Sequence, residues 1–307
     1  MGVGTTPGEI QSAIPAGGAG VSAERISAFF ALTKPRVTVM VLLTTLAGFY
    51  LASPHQGLDL LLLFHTLLGT ALVAGGTAGL NQILECEADA RMQRTRNRPL
   101  PSKRLEPSAA LGFTAALVLS GALYLGLTVN PLTALLGVLT SILYLFVYTP
   151  LKTRTPVCTA VGAIPGAIPP LMGWTAVSNG LDGQAAALFL ILFLWQFPHF
   201  YAISWMYRED YQRGGFRMLP AIDPQGSRTG RHILIHSLLL LGISSVPFFL
   251  GLSGWVYLFG ALLLGLTMLW YGGRTARSCT TRSASRVMRA SVVYLPLLLI
   301  LLAVDKL

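Results

Sequence analysis

Asn81, Glu85 and Asp89 stand four residues apart in a chain poor in acids, with 12 Asp and Glu among 307 residues. On a continuous helix each step of four turns about 400°, so these oxygen-bearing side chains drift only ~40° per step along one edge. An amide and two carboxylates in a row suit a hard divalent cation. Mg²⁺ usually completes such a shell with water and substrate phosphate oxygens. Glu87 falls off that edge. Arg94 and Arg98 follow, also four apart, ahead of Pro99. Carboxylates followed by guanidinium groups fit a metal that carries a phosphate group, with arginine forks taking the oxygens the metal leaves. A salt-bridged helix end at a membrane surface is the plainer reading of the same charges.

A second cluster runs from Trp205 to Gly215 and holds Arg208, Glu209, Asp210, Tyr211 and Arg213. If it faces the first, Asp210 joins Asn81, Glu85 and Asp89 as a metal ligand, with Glu209 beside it. Lys152 and Arg154 follow an aromatic stretch, Tyr144 to Tyr148. Lys152 either sets topology or contacts a phosphate. His199 lies in Trp195-Gln-Phe-Pro-His-Phe-Tyr201, where it lines a cavity for a planar ligand or simply packs. His232 and His236 are four apart but lack a third ligand nearby, so zinc is not expected. Cys86, Cys158 and Cys279 show no CxxC spacing, and no disulfide framework is expected.

The elements that must position these groups are membrane helices. Hydrophobic residues make up 53% of the chain and charged residues 11%, and the mean hydropathy is +0.63. A soluble globule carries roughly 25% charge, so a soluble enzyme and a disordered chain are both excluded. Nine apolar spans are read near 37–53, 60–84, 108–127, 131–149, 157–177, 185–205, 232–251, 254–271 and 290–304, an all-α polytopic membrane fold. The connections alternate in charge. The N-terminal segment and the loops near 85–107, 150–156, 206–231 and 272–289 hold every Lys and Arg of the 22 except Lys306. The positive-inside rule then puts this side and the N-terminus in the cytoplasm and the C-terminus outside. The net charge of +10 thus serves topology, anionic lipid or an anionic substrate, and nucleic acid is not an expected partner. Residues 1–24, rich in Gly, Ala and Ser, read as a flexible cytosolic tail, and 25–307 as one transmembrane domain. Two basic-side loops are long, and they follow spans 2 and 6. Chemistry is therefore expected at the cytoplasmic face, in a molecule of two similar four-helix halves plus one helix. Pro165, Pro169 and Pro170 would kink span 5 and shape a cavity.

With these residues assembled, the chain resembles the haem-farnesylating branch of the UbiA-type intramembrane prenyltransferases. The resemblance rests on Asn81-x3-Glu85-x3-Asp89 with Met92-x-Arg94-Thr95-x-x-Arg98-Pro99-Leu100. It continues through Tyr148-Thr-Pro-Leu-Lys152, Gly162 to Trp174, Pro198-His199-Phe200, and Asp210-Tyr211-x-x-Gly-Gly with Met218-Leu219-Pro220. It implies nine helices around a central cavity open to the cytoplasmic side of a bacterial inner membrane. Farnesyl diphosphate would be the donor and haem B the acceptor and substrate. Asn81, Glu85 and Asp89 would hold Mg²⁺, or alternatively Mn²⁺, on the diphosphate, and Arg94, Arg98 and Lys152 would neutralise it. His199, Trp195, Tyr148 and Tyr211 would line the haem or prenyl cavity. Haem A synthase or oxidase assembly proteins would be downstream partners. One departure stands out: relatives often carry aspartates four apart in the second motif, where this chain has Tyr207 and Tyr211. Prenylation of an aromatic or quinone precursor is the rival enzyme reading. Transport of an amphipathic anion is the rival of another class, and the absence of carboxylates from the mid-membrane weighs against it.

Overall fold

The computed structural model describes residues 18–54 and 57–307. Of the expected tail, residues 1–17 lie outside the described residues, and 18–24 open a helix, α1 (Gly18–Leu32). Then come α2 (Pro35–Ala52), α3 (Leu60–Leu84), the short α4 (Cys86–Arg91), α5 (Pro107–Thr128) and α6 (Pro131–Ile142). A π-helical stretch (Leu143–Tyr148) and one last turn carry α6 on to Leu151. After it follow α7 (Cys158–Ala167), α8 (Pro169–Ser178), α9 (Gly183–Met206), the short α10 (Arg208–Arg213), α11 (Ser227–Ile243), α12 (Trp255–Arg277) and α13 (Thr281–Val304).

Among the described residues nine helical segments are long and apolar enough to cross a membrane, and each overlaps one expected span. The last two run further than their hydropathy suggests. Residues 272–289, expected as a basic loop, are mostly helix, interrupted only around 278–280. Long arginine side chains keep their stems on an apolar surface while the charge reaches water, so hydropathy drops before the helix does. On the opposite side the acids are structural. Asp59 and Asp182 cap α3 and α9 by accepting from the N–H of Leu62 and Ala185 at 2.9 and 2.8 Å.

The bundle closes through neighbouring pairs: α3 against α5, α2 against α8, and α9 to α13 packed as a group. Small residues allow the closest crossing. A Cβ on Gly173 would fall on the Thr45 carbonyl, and one on Gly48 on the Pro170 carbonyl, so α2 and α8 meet backbone to backbone. Pro165, inside α7, and Pro169 and Pro170, which open α8, divide span 5 into two helices.

Candidate active site

Two spanning helices end in the same way. Helix α3 stops at Leu84, Glu85 leaves helical geometry (φ −101°, ψ 9°), and the six-residue α4 resumes. Helix α9 stops at Met206, Tyr207 does the same (φ −113°, ψ 25°), and the six-residue α10 follows. The expected continuous helix through Asn81, Glu85 and Asp89 is therefore broken by one residue. The hydrogen bonds Glu85 N–H to Asn81 O (3.0 Å) and Asp89 N–H to Glu85 O (2.8 Å) span the break and keep the fourfold spacing. The repeat also places Glu85 opposite Tyr207 and Asp89 opposite Tyr211 in the two halves. The two spans that precede the long basic-side loops thus share one backbone form at their ends.

Each oxygen-bearing group of the first half meets its own cation. Lys34 Nζ donates to Asn81 Oδ1 at 3.0 Å. Lys152 Nζ donates to Glu85 Oε1 at 2.6 Å, with both side chains largely buried. Arg98 donates to Asp89 Oδ2 at 2.6 Å, and Asp89 is fully buried. The amide of Asn81 is fixed on its other side by Thr149 Oγ1 (3.1 Å), which in turn donates to the Tyr144 carbonyl (2.8 Å). Pro150 has no N–H for the helical ladder, and the chain widens into the π stretch just before it. That widening brings Tyr144, Tyr148 and Lys152 to the same end of the bundle. The Lys152 ammonium lies 4.4 Å from the Tyr148 ring centre and 5.6 Å from that of Phe216. Burial works against its charge, but Tyr148 and the Glu85 carboxylate outweigh burial and hold it above the usual lysine range.

Lys34 was not among the residues singled out from the sequence. It precedes Pro35 in left-handed geometry (φ 48°, ψ 62°), a conformation that costs energy in a non-glycine residue. Burial, followed by the neighbouring Arg98 and Lys152 charges, lowers its ammonium to about 7. A lysine so placed is a cation short of counter-charge, and it gains by meeting an anion.

The second half is built differently. Asp210 is buried, and its two oxygens accept the backbone N–H groups of Gln93 and Arg94, both at 3.1 Å, with Arg213 3.6 Å away. Expected from sequence as a metal ligand, Asp210 here engages both oxygens with the start of the 92–98 loop. Glu209 is exposed and stands 4.0 Å from Arg213. Where the repeat has Glu85 and Asp89 in the first half, Tyr207 and Tyr211 present rings to Arg94, at 5.0 and 5.5 Å, and Arg94 donates to the Tyr211 hydroxyl at 3.1 Å. Arg217 N–H donates to the Lys152 carbonyl at 2.7 Å and ties the Met218-Leu219-Pro220 segment to this corner.

His199 belongs to a separate constellation. Its Nδ1 is 2.8 Å from Ser291 Oγ on α13, and its ring stacks on Trp195 at 4.7 Å. Trp195 Nε1 donates to the Ser291 carbonyl at 2.8 Å. Among the described residues only Nδ1 is bonded, and Nε2 has no partner.

Among the described residues no three His, Cys, Asp or Glu side chains converge as a metal cluster. An ion here would need oxygens from a ligand or water, as Mg²⁺ commonly has. One observation fits it: Asp89 Oδ1 is buried and, among the described residues, has no hydrogen-bond partner. A buried charged acceptor without a partner is costly, and an ion at that atom would satisfy it.

Comparisons with known proteins establish the family. Residues 41–296 match the UbiA prenyltransferase family, and the chain belongs to it. It is a multi-pass membrane transferase. A protoheme IX farnesyltransferase of Solibacter usitatus is 49% identical over 286 residues, covering 91% of this chain and 98% of the relative. One of Koribacter versatilis is 43% identical, covering 90% and 92%. Among solved structures, a digeranylgeranylglyceryl phosphate synthase superposes with a TM-score of 0.77 at 19% identity, over 92% and 98% of the two chains. A UbiA homologue from Archaeoglobus fulgidus bound to DMAPP and Mg²⁺ gives 0.63 at 13% identity, over 90% and 99%.

Proposed function

We propose that this chain transfers the farnesyl group of farnesyl diphosphate to a vinyl group of haem B, with addition of water, giving haem O and diphosphate. The relatives support the acceptor, since two at 43–49% identity over about nine tenths of the chain are protoheme IX farnesyltransferases. The observation that carries the chemistry is the edge Asn81–Glu85–Asp89, each paired with a cation and with Asp89 Oδ1 left open.

The residues divide the work. Asn81, Glu85 and Asp89 would hold Mg²⁺, or Mn²⁺ in its place, which supplies Lewis-acid stabilisation to the leaving diphosphate when bound. Lys34, Lys152, Arg98 and Arg94 exchange their present partners for phosphate oxygens and stabilise charge as the allylic C–O bond breaks. The farnesyl C1 then bonds to the terminal vinyl carbon. Water adds at the inner carbon, and one proton is released. No strong base is needed for the first bond. Tyr148, Tyr211 and Trp195 shield the allylic cation from early water, and His199 faces the porphyrin. The site opens to the cytoplasmic side of a bacterial inner membrane, with the N-terminus inside and residues 25–307 as one domain. Haem O then passes to haem A synthase or oxidase assembly proteins.

The test is haem pigment analysis of membranes given farnesyl diphosphate and haem B, with and without chelator. Haem O should form, vanish on chelation and return with Mg²⁺. Asp89→Ala should lower turnover by at least ~10²-fold in a protein that still inserts. Turnover of a hydroxybenzoate in place of haem would overturn the acceptor, and near-normal activity of Asp89→Ala would overturn the site.

A further inference from the structure

Helices α12 and α13 carry five arginines and no acid between residues 255 and 304: Arg274, Arg277, Arg282, Arg286 and Arg289. Between these helices lies a cleft of about 420 Å³. By helical position Arg286 and Arg289 stand at one end beside Tyr271, and Leu264, Met268 and Val293 line the cleft deeper along the helices. Among the described residues neither arginine forms an ion pair, all four pairs lying around Arg98, Lys152 and Arg213. Their depth is set by the helix. They come five and eight residues after Thr281, about 7–12 Å along α13 at ~1.5 Å per residue. On α12 the matching level is marked by the exposed Trp270, over which Arg274 lies at 5.9 Å. An exposed tryptophan beside an arginine is typical of the headgroup boundary. Beyond that level Val293, Leu263 and Leu266 are exposed, an apolar face suited to acyl chains.

We infer that the α12–α13 cleft binds an anionic phospholipid of the leaflet on the basic-loop side, its headgroup held by Arg286 and Arg289 and an acyl chain lying along Leu264, Met268 and Val293. Charge complementarity carries the choice: two unpaired guanidinium groups in an acid-free helix pair call for a net negative head, not a zwitterionic one. Haem is also an amphipathic anion, but the exposed Val293 puts the cleft on the outer side of the helix pair. Ser291, which binds His199, points elsewhere on α13: Arg289 comes two residues earlier, about 200° around the helix.

Native mass spectrometry of the purified full chain tests this with phosphatidylglycerol and phosphatidylcholine of matched acyl chains. Phosphatidylglycerol should be retained roughly tenfold or more in preference. The preference should disappear in Arg286→Gln/Arg289→Gln and survive in the double Lys variant. Val293→Trp, which fills the cleft and leaves the charges, should lower retention of both lipids, and it decides the matter alone should the Gln variant fail to insert. Equal retention of the two lipids, or a preference indifferent to these substitutions, would overturn the inference. So would displacement of phosphatidylglycerol by haem B at equimolar concentration, which would make the cleft an acceptor entry instead.

Discussion

Two buried aspartates at one end of this bundle look alike in sequence and differ in what they touch. Asp89 keeps one oxygen free beside a single arginine, whereas Asp210 has both committed to backbone N–H groups. Removing Asp210 orphans two amide donors, each worth about 1–3 kcal/mol if left buried and unpaired. Asp210→Ala should therefore lower thermal stability and turnover together, with the Mg²⁺ concentration for half-maximal activity unchanged. Substitution of Asp89 should move that concentration. A Mg²⁺ dependence altered by Asp210→Ala would instead make Asp210 the metal ligand expected from sequence. The first motif was legible because its fourfold spacing survives a one-residue break. Lys34 was not, since a lysine at the start of a span looks like any topology-setting charge, and its contact with Asn81 crosses 47 positions of sequence. Losing one charge-assisted hydrogen bond costs about 1.5–3 kcal/mol. Lys34→Gln should accordingly raise the KM for farnesyl diphosphate at least ~10-fold in steady-state assays, leaving haem affinity alone.

The second motif, read as an element, shows why a repeat can be hard to see. Helices α3–α4 and α9–α10 share a span, a single non-helical residue and a six-residue helix. At the equivalent positions their side chains are acids in one half and tyrosines in the other, so residue identity conceals what backbone geometry retains. Span ends were blurred for another reason: on α12 and α13 the arginines lower the hydropathy without ending the helix. The π stretch was likewise not foreseen, although Pro150 supplies a physical cause. Its product, the Tyr148 ring under Lys152, leans on Gly162, where a Cβ would come within 2.5 Å of the ring. Gly162→Ala should push that ring away from the ammonium. We expect a several-fold rise in KM for the diphosphate, and a stability loss of about 1–3 kcal/mol from overpacking. Thermal unfolding of the same preparation separates the two effects, and unchanged KM would show that Lys152 needs no ring beneath it.

At the scale of the whole molecule, charge distribution and chemistry point the same way. The amide and the two carboxylates that pair with Lys34, Lys152 and Arg98 sit at the end where nearly every basic residue gathers, and the caps Asp59 and Asp182 mark the other end. A diphosphate made in the cytoplasm can reach such a site only if this end faces inward, and the same polarity is what positive charge imposes during insertion. Cysteine labelling measures this orientation. In a background without native cysteines, a cysteine at Gly180, in the exposed turn after α8, should react with a membrane-impermeant maleimide in intact cells. One at Arg96, in the loop after α4, should react only after the membrane is opened. The reverse pattern would put the catalytic groups on the wrong side of their donor. Labelling at both positions in intact cells would mean that the spans do not alternate as their loops imply.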